Sequence, residues 1–98
     1  MELEVQIHAP QEAKEVVERL TWENLDKKIW SYLNKFDGED VEWKIVVKIE
    51  KNKKTLFDGS LQINIDGQIF RYEREDFKNL DDLVNHLFDH FKEELAKK

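Results

Sequence analysis

The sequence predicts an α+β fold in which a four-stranded sheet is covered on one face by two helices. Three observations support this class. Hydrophobic and polar residues alternate along four short segments, two other segments carry hydrophobic residues at helical spacing, and an Asp-Gly pair marks a tight hairpin between the last two strands. The predicted order is β-α-β-β-β-α, a two-layer sandwich with both helices on one face of the sheet.

Composition limits the classes of protein to consider. The chain has 98 residues, a formal net charge of -6 and no cysteine, so we treat residues 1–98 as one domain without thiol chemistry or disulfides. The absence of a long apolar stretch or a signal-like start predicts a cytoplasmic protein that does not contact membranes. The acidic balance argues against indiscriminate nucleic-acid binding, which needs many basic residues, but it leaves room for a local basic patch.

Four segments have the two-residue alternation of half-buried strands. They are residues 2–8, 42–50, 57–65 and 68–75. A tight turn at Asp66-Gly67 places Ile63 opposite Phe70, so both side chains point to the same core. Gly59 interrupts the third strand, where it indicates a bulge or close packing.

Two segments have helical spacing. In residues 11–36, two hydrophobic stretches meet through a five-residue step between Leu20 and Leu25. A regular helix does not accommodate that step, and Thr21 is suited to cap a new helix, so we expect a break or kink near Thr21. The second helix is defined by Leu80, Val84, Leu87, Phe91 and Leu95.

The aromatic residues raise the question of whether they stack on nucleic-acid bases or fill the core. Those of the predicted strands share the parity of the inward face, which favours core packing. They are Trp43, Phe57, Phe70 and Tyr72. On the first helix, Trp22 lies on the stripe of Leu25 and Ile29 and is predicted to face inward. Trp30, about 100° from Ile29, is predicted at the edge of the core or in contact with a partner.

One pattern on the last helix resembles a metal site. Asp82, His86, His90 and Glu94 recur every four residues, which lines them up on one helix face. No neighbouring segment supplies a closing ligand, so a solvated face is the favoured interpretation and no metal is predicted. The sequence also lacks a phosphate-binding loop and a paired nucleophile and base. We therefore expect no enzyme activity, no cofactor and no small-molecule substrate.

Three strings in the chain carry a resemblance to a known family. Lys27-Lys28-Ile29 with residues 33–36 is similar to a Lys-Lys-Leu helix that ends in Tyr-Phe, and residues 46–52 are similar to a strand that follows it. Residues 76–81, with the spaced leucines after them, are similar to an aromatic residue, an Ile-Asp pair and a leucine-spaced helix. These patterns resemble the ribosome hibernation-promoting factors and ribosome-associated translation inhibitors, also called the sigma-54 modulation family.

The resemblance implies a fold similar to a double-stranded-RNA-binding domain and a stress-response role in translation. It implies binding to small-subunit rRNA in the tRNA and mRNA channel, by a protein that is monomeric off the ribosome. Carried over to this chain, the RNA-binding residues are Lys27, Lys28, Lys35, His86 and Lys92.

An alternative remains open: a domain of the same fold that binds protein, or an engineered chain without a function. The ribosome interpretation predicts a basic strip across both helices. The alternative predicts lysines scattered among acidic residues such as Glu23, Asp26 and Asp82.

Overall fold

The computed structural model describes residues 2–31 and 41–97 and contains the predicted elements in the predicted order. Its elements are β1 (Glu2–His8), α1 (Gln11–Asn24) followed by a π-helical turn (Leu25–Ile29), β2 (Glu42–Lys51), β3 (Phe57–Ile65), β4 (Gln68–Phe77) and α2 (Leu80–Ala96). The α+β sandwich predicted from the sequence is confirmed. None of the described helices is long and apolar enough to cross a bilayer.

The four strands form one sheet in the order β1-β2-β3-β4. Strand β1 is parallel to β2, because α1 carries the chain back across the sheet between them, and the other two pairs are antiparallel. The hairpin register is confirmed, since Ile63 pairs with Phe70. Asp66 and Gly67 have φ values of 50° and 91°. Positive φ at both central residues is what a two-residue turn with the twist of its strands requires.

The core lies between the inward face of the sheet and the helices. The central strands contribute alternate residues and α2 contributes its hydrophobic stripe. The fully buried large side chains include Trp43, Ile45, Ile49, Leu61, Ile63, Leu83, Leu87, Phe88 and Phe91. Val5 and Phe70, which the alternation also assigns to the core, are only half-buried. Their strands β1 and β4 are the edges of the sheet, so each lacks a neighbour on one side.

At Gly59, α2 packs closely against the sheet, as the interruption of the strand suggested. The pairing register of β3 and β4 shifts between Phe57 and Gly59, which is the expected bulge. A Cβ atom at Gly59 would lie 3.0 Å from the Cδ1 of Ile49 and 3.0 Å from the Cδ2 of Leu83. A hydrogen at this position therefore allows Leu83 of α2 to pack directly on the strand.

The predicted break or kink does not lie at Thr21. Thr21 is fully buried inside a continuous helix, and the irregularity lies further along, where the backbone N–H of Trp30 donates to the carbonyl of Leu25. This bond spans five residues and closes a π-helical turn, which inserts one extra residue into the helix. The extra residue keeps Leu25 and Ile29 buried without a new helix start. The part of the predicted helix at residues 32–36 lies outside the described residues.

The prediction that Trp22 faces inward is wrong. Its side chain is 52% exposed, because Leu20, Thr21 and Asn24 form the buried side of the helix at this level and Trp22 lies on the opposite side. Trp30 is 46% exposed. Both indole rings of α1 are therefore presented to solvent.

Candidate nucleic-acid interface

Two of the predicted lysines, Lys27 and Lys28, line a groove between the first helix and α2. Its two walls are joined by polar contacts: the Nδ2 of Asn24 donates to the Oδ1 of Asn85 over 2.8 Å, and the Nζ of Lys28 lies 2.6 Å from the Oδ1 of Asp89. Charged side chains line the groove from both helices. They are Arg19, Glu23, Lys27, Lys28, Asp81 and Asp89.

The groove carries equal numbers of basic and acidic side chains, and two ion pairs form among them, one within α1 and one across the groove. Arg19 lies 3.1 Å from Glu23 one turn along α1, and Lys28 is held by Asp89 of α2. A surface ion pair contributes only about 0–1 kcal/mol to stability. These two pairs nevertheless place a carboxylate beside Arg19 and another beside Lys28. In the described part of the groove, the lysines are thus interleaved with acids and do not form a continuous basic strip.

The structure does not bring all the predicted RNA-binding residues together. Lys27 is exposed on α1, and Lys28 is partly buried against Asp89. Lys92 is exposed and follows Asp89 by three residues, so it lies on the same flank of α2. These three lysines share one side of the molecule, whereas Lys35 lies outside the described residues.

His86 lies on the other flank of α2, against strand β4. Its Nε2 accepts a hydrogen bond from the Nε of Arg74 over 3.1 Å, and its ring centroid is 5.7 Å from that of Phe77. Arg74 also places Nη2 3.3 Å from the Nδ1 of His90. The structure therefore separates His86 from the groove lysines and joins it to a guanidinium.

Arg74 therefore contacts both imidazoles of the strip that resembles a metal site. A guanidinium has only donors, so it approaches one nitrogen of each ring through its N–H groups. In the predicted strip from Asp82 to Glu94, one ring nitrogen of each histidine therefore contacts the arginine and not a metal ion. In residues 2–31 and 41–97, no group of three or more potential ligands is arranged to hold a metal ion.

Tyr72 is half-buried beside this cluster. Its ring centroid lies 4.5 Å from that of His90, and its hydroxyl is buried with no hydrogen-bond partner among the described residues. Burial, with a smaller effect of the Glu94 carboxylate, raises the pKa of Tyr72 to about 12. The sequence predicted the inward direction of Tyr72 but gave no sign of the cluster around it.

The raised pKa of Tyr72 predicts a pH dependence of stability at alkaline pH. Between its ordinary pKa of 10 and about 12, the unfolded chain loses this proton while the folded chain keeps it. The free energy of unfolding of the wild type should therefore fall with rising pH across this window, and below it the contribution is fully present. Urea unfolding of wild type and Tyr72→Phe across the window measures the difference.

Tyr72→Phe should show a shallower decline, because the hydroxyl that titrates is gone. At neutral pH the variant should be within about 1 kcal/mol of wild type, since the lost hydroxyl has no partner among the described residues. Identical pH profiles of the two proteins would contradict this assignment.

Comparison with known proteins supports the fold and leaves the activity open. The chain is similar to the Thermus thermophilus Protein Y N-terminal domain, with a TM-score of 0.63 and 16% sequence identity over 99% of this chain and 98% of that one. No protein-family model and no curated protein matches the sequence. At this identity, the likeness establishes a shared fold along nearly the whole of both chains.

Proposed function

We propose that this protein is a ribosome-associated hibernation factor that represses translation by binding small-subunit rRNA in the tRNA and mRNA channel. The observation that carries the proposal is the end-to-end likeness to the Protein Y N-terminal domain, a ribosome-associated protein. The sequence strings that resemble the hibernation-factor family also support it.

The surface proposed for rRNA is the side of the helical layer that carries Lys27, Lys28 and Lys92. Lys35, outside the described residues, is proposed as a further contact from the sequence resemblance alone. Lys27 and Lys92 are exposed and, among the described residues, form no ion pair. Lys28 would exchange Asp89 for a phosphate, and the freed carboxylate would remain nearby. Binding should therefore be weaker than that of a groove lined only with cations, and strongly dependent on salt.

His86 is proposed as a contact of a second kind. Its ring lies at the β4 flank beside Arg74, so rRNA that reaches it would also meet the guanidinium. Arginine and imidazole planes both stack on unpaired bases. This flank can thus contribute base stacking, whereas the groove contributes phosphate contacts.

The mixed charge of the groove favours a second candidate, in which the same fold binds protein. Paired charges of both signs are common at protein interfaces, where complementary potentials fix the register of the partners. This candidate predicts that purified small subunits do not bind the chain at any ionic strength.

Sedimentation with purified small ribosomal subunits tests the proposal. We expect the wild type to pellet with the subunits at low ionic strength and to be released as salt rises. Four lysine contacts to phosphate predict a loss of affinity on the order of a hundredfold between roughly 50 and 200 mM salt. Large subunits serve as the control. Failure to pellet at low salt, or equal pelleting with large subunits, would contradict the proposed function.

A further inference from the structure

The π-helical turn aligns the two exposed tryptophans of α1. In a regular helix, residues eight positions apart are separated by roughly 80° around the axis. The π-helical turn at Leu25–Ile29 inserts one residue, so the eight steps from Trp22 to Trp30 rotate the chain only as far as about seven steps of a regular helix. The two side chains then leave the helix within about 20° of each other. The two residues lie about 10–12 Å apart along the helix axis on one face.

Carboxylates extend this face along the helix. We define the aromatic-acidic stripe as Glu15, Glu18, Trp22, Asp26 and Trp30, which follow one another at intervals of three or four residues and are all exposed. Within residues 2–31 and 41–97, none of its carboxylates forms an ion pair. The cations next to it on α1 are Lys14 and Arg19, and Arg19 is paired with Glu23. The stripe itself thus combines two exposed indole rings with three carboxylates.

The stripe is separate from the groove proposed for rRNA. Asn24 and Lys28 reach α2 from one side of α1, whereas the stripe lies on the opposite side of the same helix. A partner on the stripe therefore leaves the groove open.

We propose that the aromatic-acidic stripe is a docking surface for a cationic protein segment rich in arginine and lysine. Charge complementarity identifies this occupant. An indole face attracts a guanidinium or ammonium ion, and the intervening carboxylates of Glu18 and Asp26 add opposite charge on the same line. Nucleic-acid bases could stack on the rings, but the three carboxylates repel the attached phosphates. An extended segment would place basic side chains about four residues apart over the two rings.

The proposal goes beyond the proposed function, and its test uses no ribosome. A labelled synthetic oligo-arginine peptide is titrated with the protein and followed by fluorescence anisotropy. Binding should weaken about tenfold in the double variant Trp22→Ala with Trp30→Ala, because both cation–π contacts are lost. Ile69→Ala removes a similarly exposed apolar side chain from the sheet and should leave binding unchanged.

Two variants that each remove three negative charges distinguish attraction by the net charge of the protein from binding at the stripe. The stripe variant carries Glu15→Gln, Glu18→Gln and Asp26→Asn. Its matched control carries Glu42→Gln, Glu75→Gln and Glu93→Gln, at exposed positions elsewhere. The stripe variant should weaken peptide binding several-fold more than the control, with both retaining the wild-type circular dichroism spectrum.

Three results would overturn the proposal. One is equal weakening by the two triple variants, which would indicate attraction by net charge alone. The second is wild-type affinity of the double tryptophan variant. The third is tighter, tryptophan-dependent binding of single-stranded oligouridine, or of a second copy of the chain in sedimentation velocity, which would assign the stripe to another occupant.

Discussion

Replacement of Phe91 by alanine should lower the free energy of unfolding by about 3–5 kcal/mol, the range observed when a buried aromatic site is emptied. Phe91 is fully buried at the centre of the interface between α2 and the sheet. Its ring meets those of Trp43 and Phe70 edge to face, with centroids 6.5 and 5.6 Å apart. These rings come from a central strand and an edge strand. The cavity would therefore loosen the contact of α2 with both.

Urea unfolding followed by tryptophan fluorescence measures this effect, because the buried Trp43 reports on the same packing. Trp22→Ala is the matched control: it removes a larger ring from an exposed position and should change the free energy of unfolding by no more than about 1 kcal/mol. A loss below about 1 kcal/mol for Phe91→Ala would contradict the packing described here.

Reversal of the four proposed rRNA-binding lysines should abolish sedimentation with small subunits. The variant changes Lys27, Lys28, Lys35 and Lys92 to glutamate. Each phosphate contact that disappears should flatten the dependence of log affinity on log salt by roughly 0.7–0.9. The effect on affinity should be larger still, because each glutamate also repels phosphate. Pelleting across a series of salt concentrations measures both quantities.

The matched control reverses four exposed lysines of β2 and the loop after it. It changes Lys44, Lys48, Lys51 and Lys53 to glutamate, so the net charge changes equally on a different surface. Asp89→Asn should act in the opposite direction, since it releases Lys28 from its ion pair and raises affinity. Equal losses in the two reversed variants would show that binding depends on net charge and not on the helical layer.

The strands and the hairpin could be predicted because their determinants are local. Alternation assigns a face to each strand residue, and Asp66-Gly67 supplies the positive φ that the turn requires. Together these set the register that pairs Ile63 with Phe70. Val5 and Phe70 are less buried than the alternation predicts, because alternation does not reveal which strands lie at the edges of the sheet.

The geometry of α1 could not be predicted because it depends on tertiary packing. The five-residue step after Leu20 indicates an irregularity, but a new helix and an inserted residue both satisfy it. The inserted residue prevails because it keeps Leu25 and Ile29 in the core while Thr21 stays buried. This choice also determines where Trp22 points, so one local ambiguity reversed the predicted direction of a large side chain.

The charges of the candidate interface are another feature that spacing cannot reveal. Lys28 and Asp89 lie on different helices and meet only in the folded chain. Arg74 is likewise brought to His86 and His90 by the packing of β4 against α2. Sequence reasoning identified the basic and imidazole side chains, but their partners decide which charges remain available to a ligand.

The proposed function requires that the helical layer, and not the outer face of the sheet, contacts the small subunit. The chain has no cysteine, so a single photo-crosslinker can be attached through Lys27→Cys on the helical layer or Lys48→Cys on the outer face of the sheet. After irradiation with purified small subunits at low ionic strength, we predict rRNA crosslinks from position 27 and none from position 48. Crosslinks from position 48 alone, or from neither position, would contradict the account.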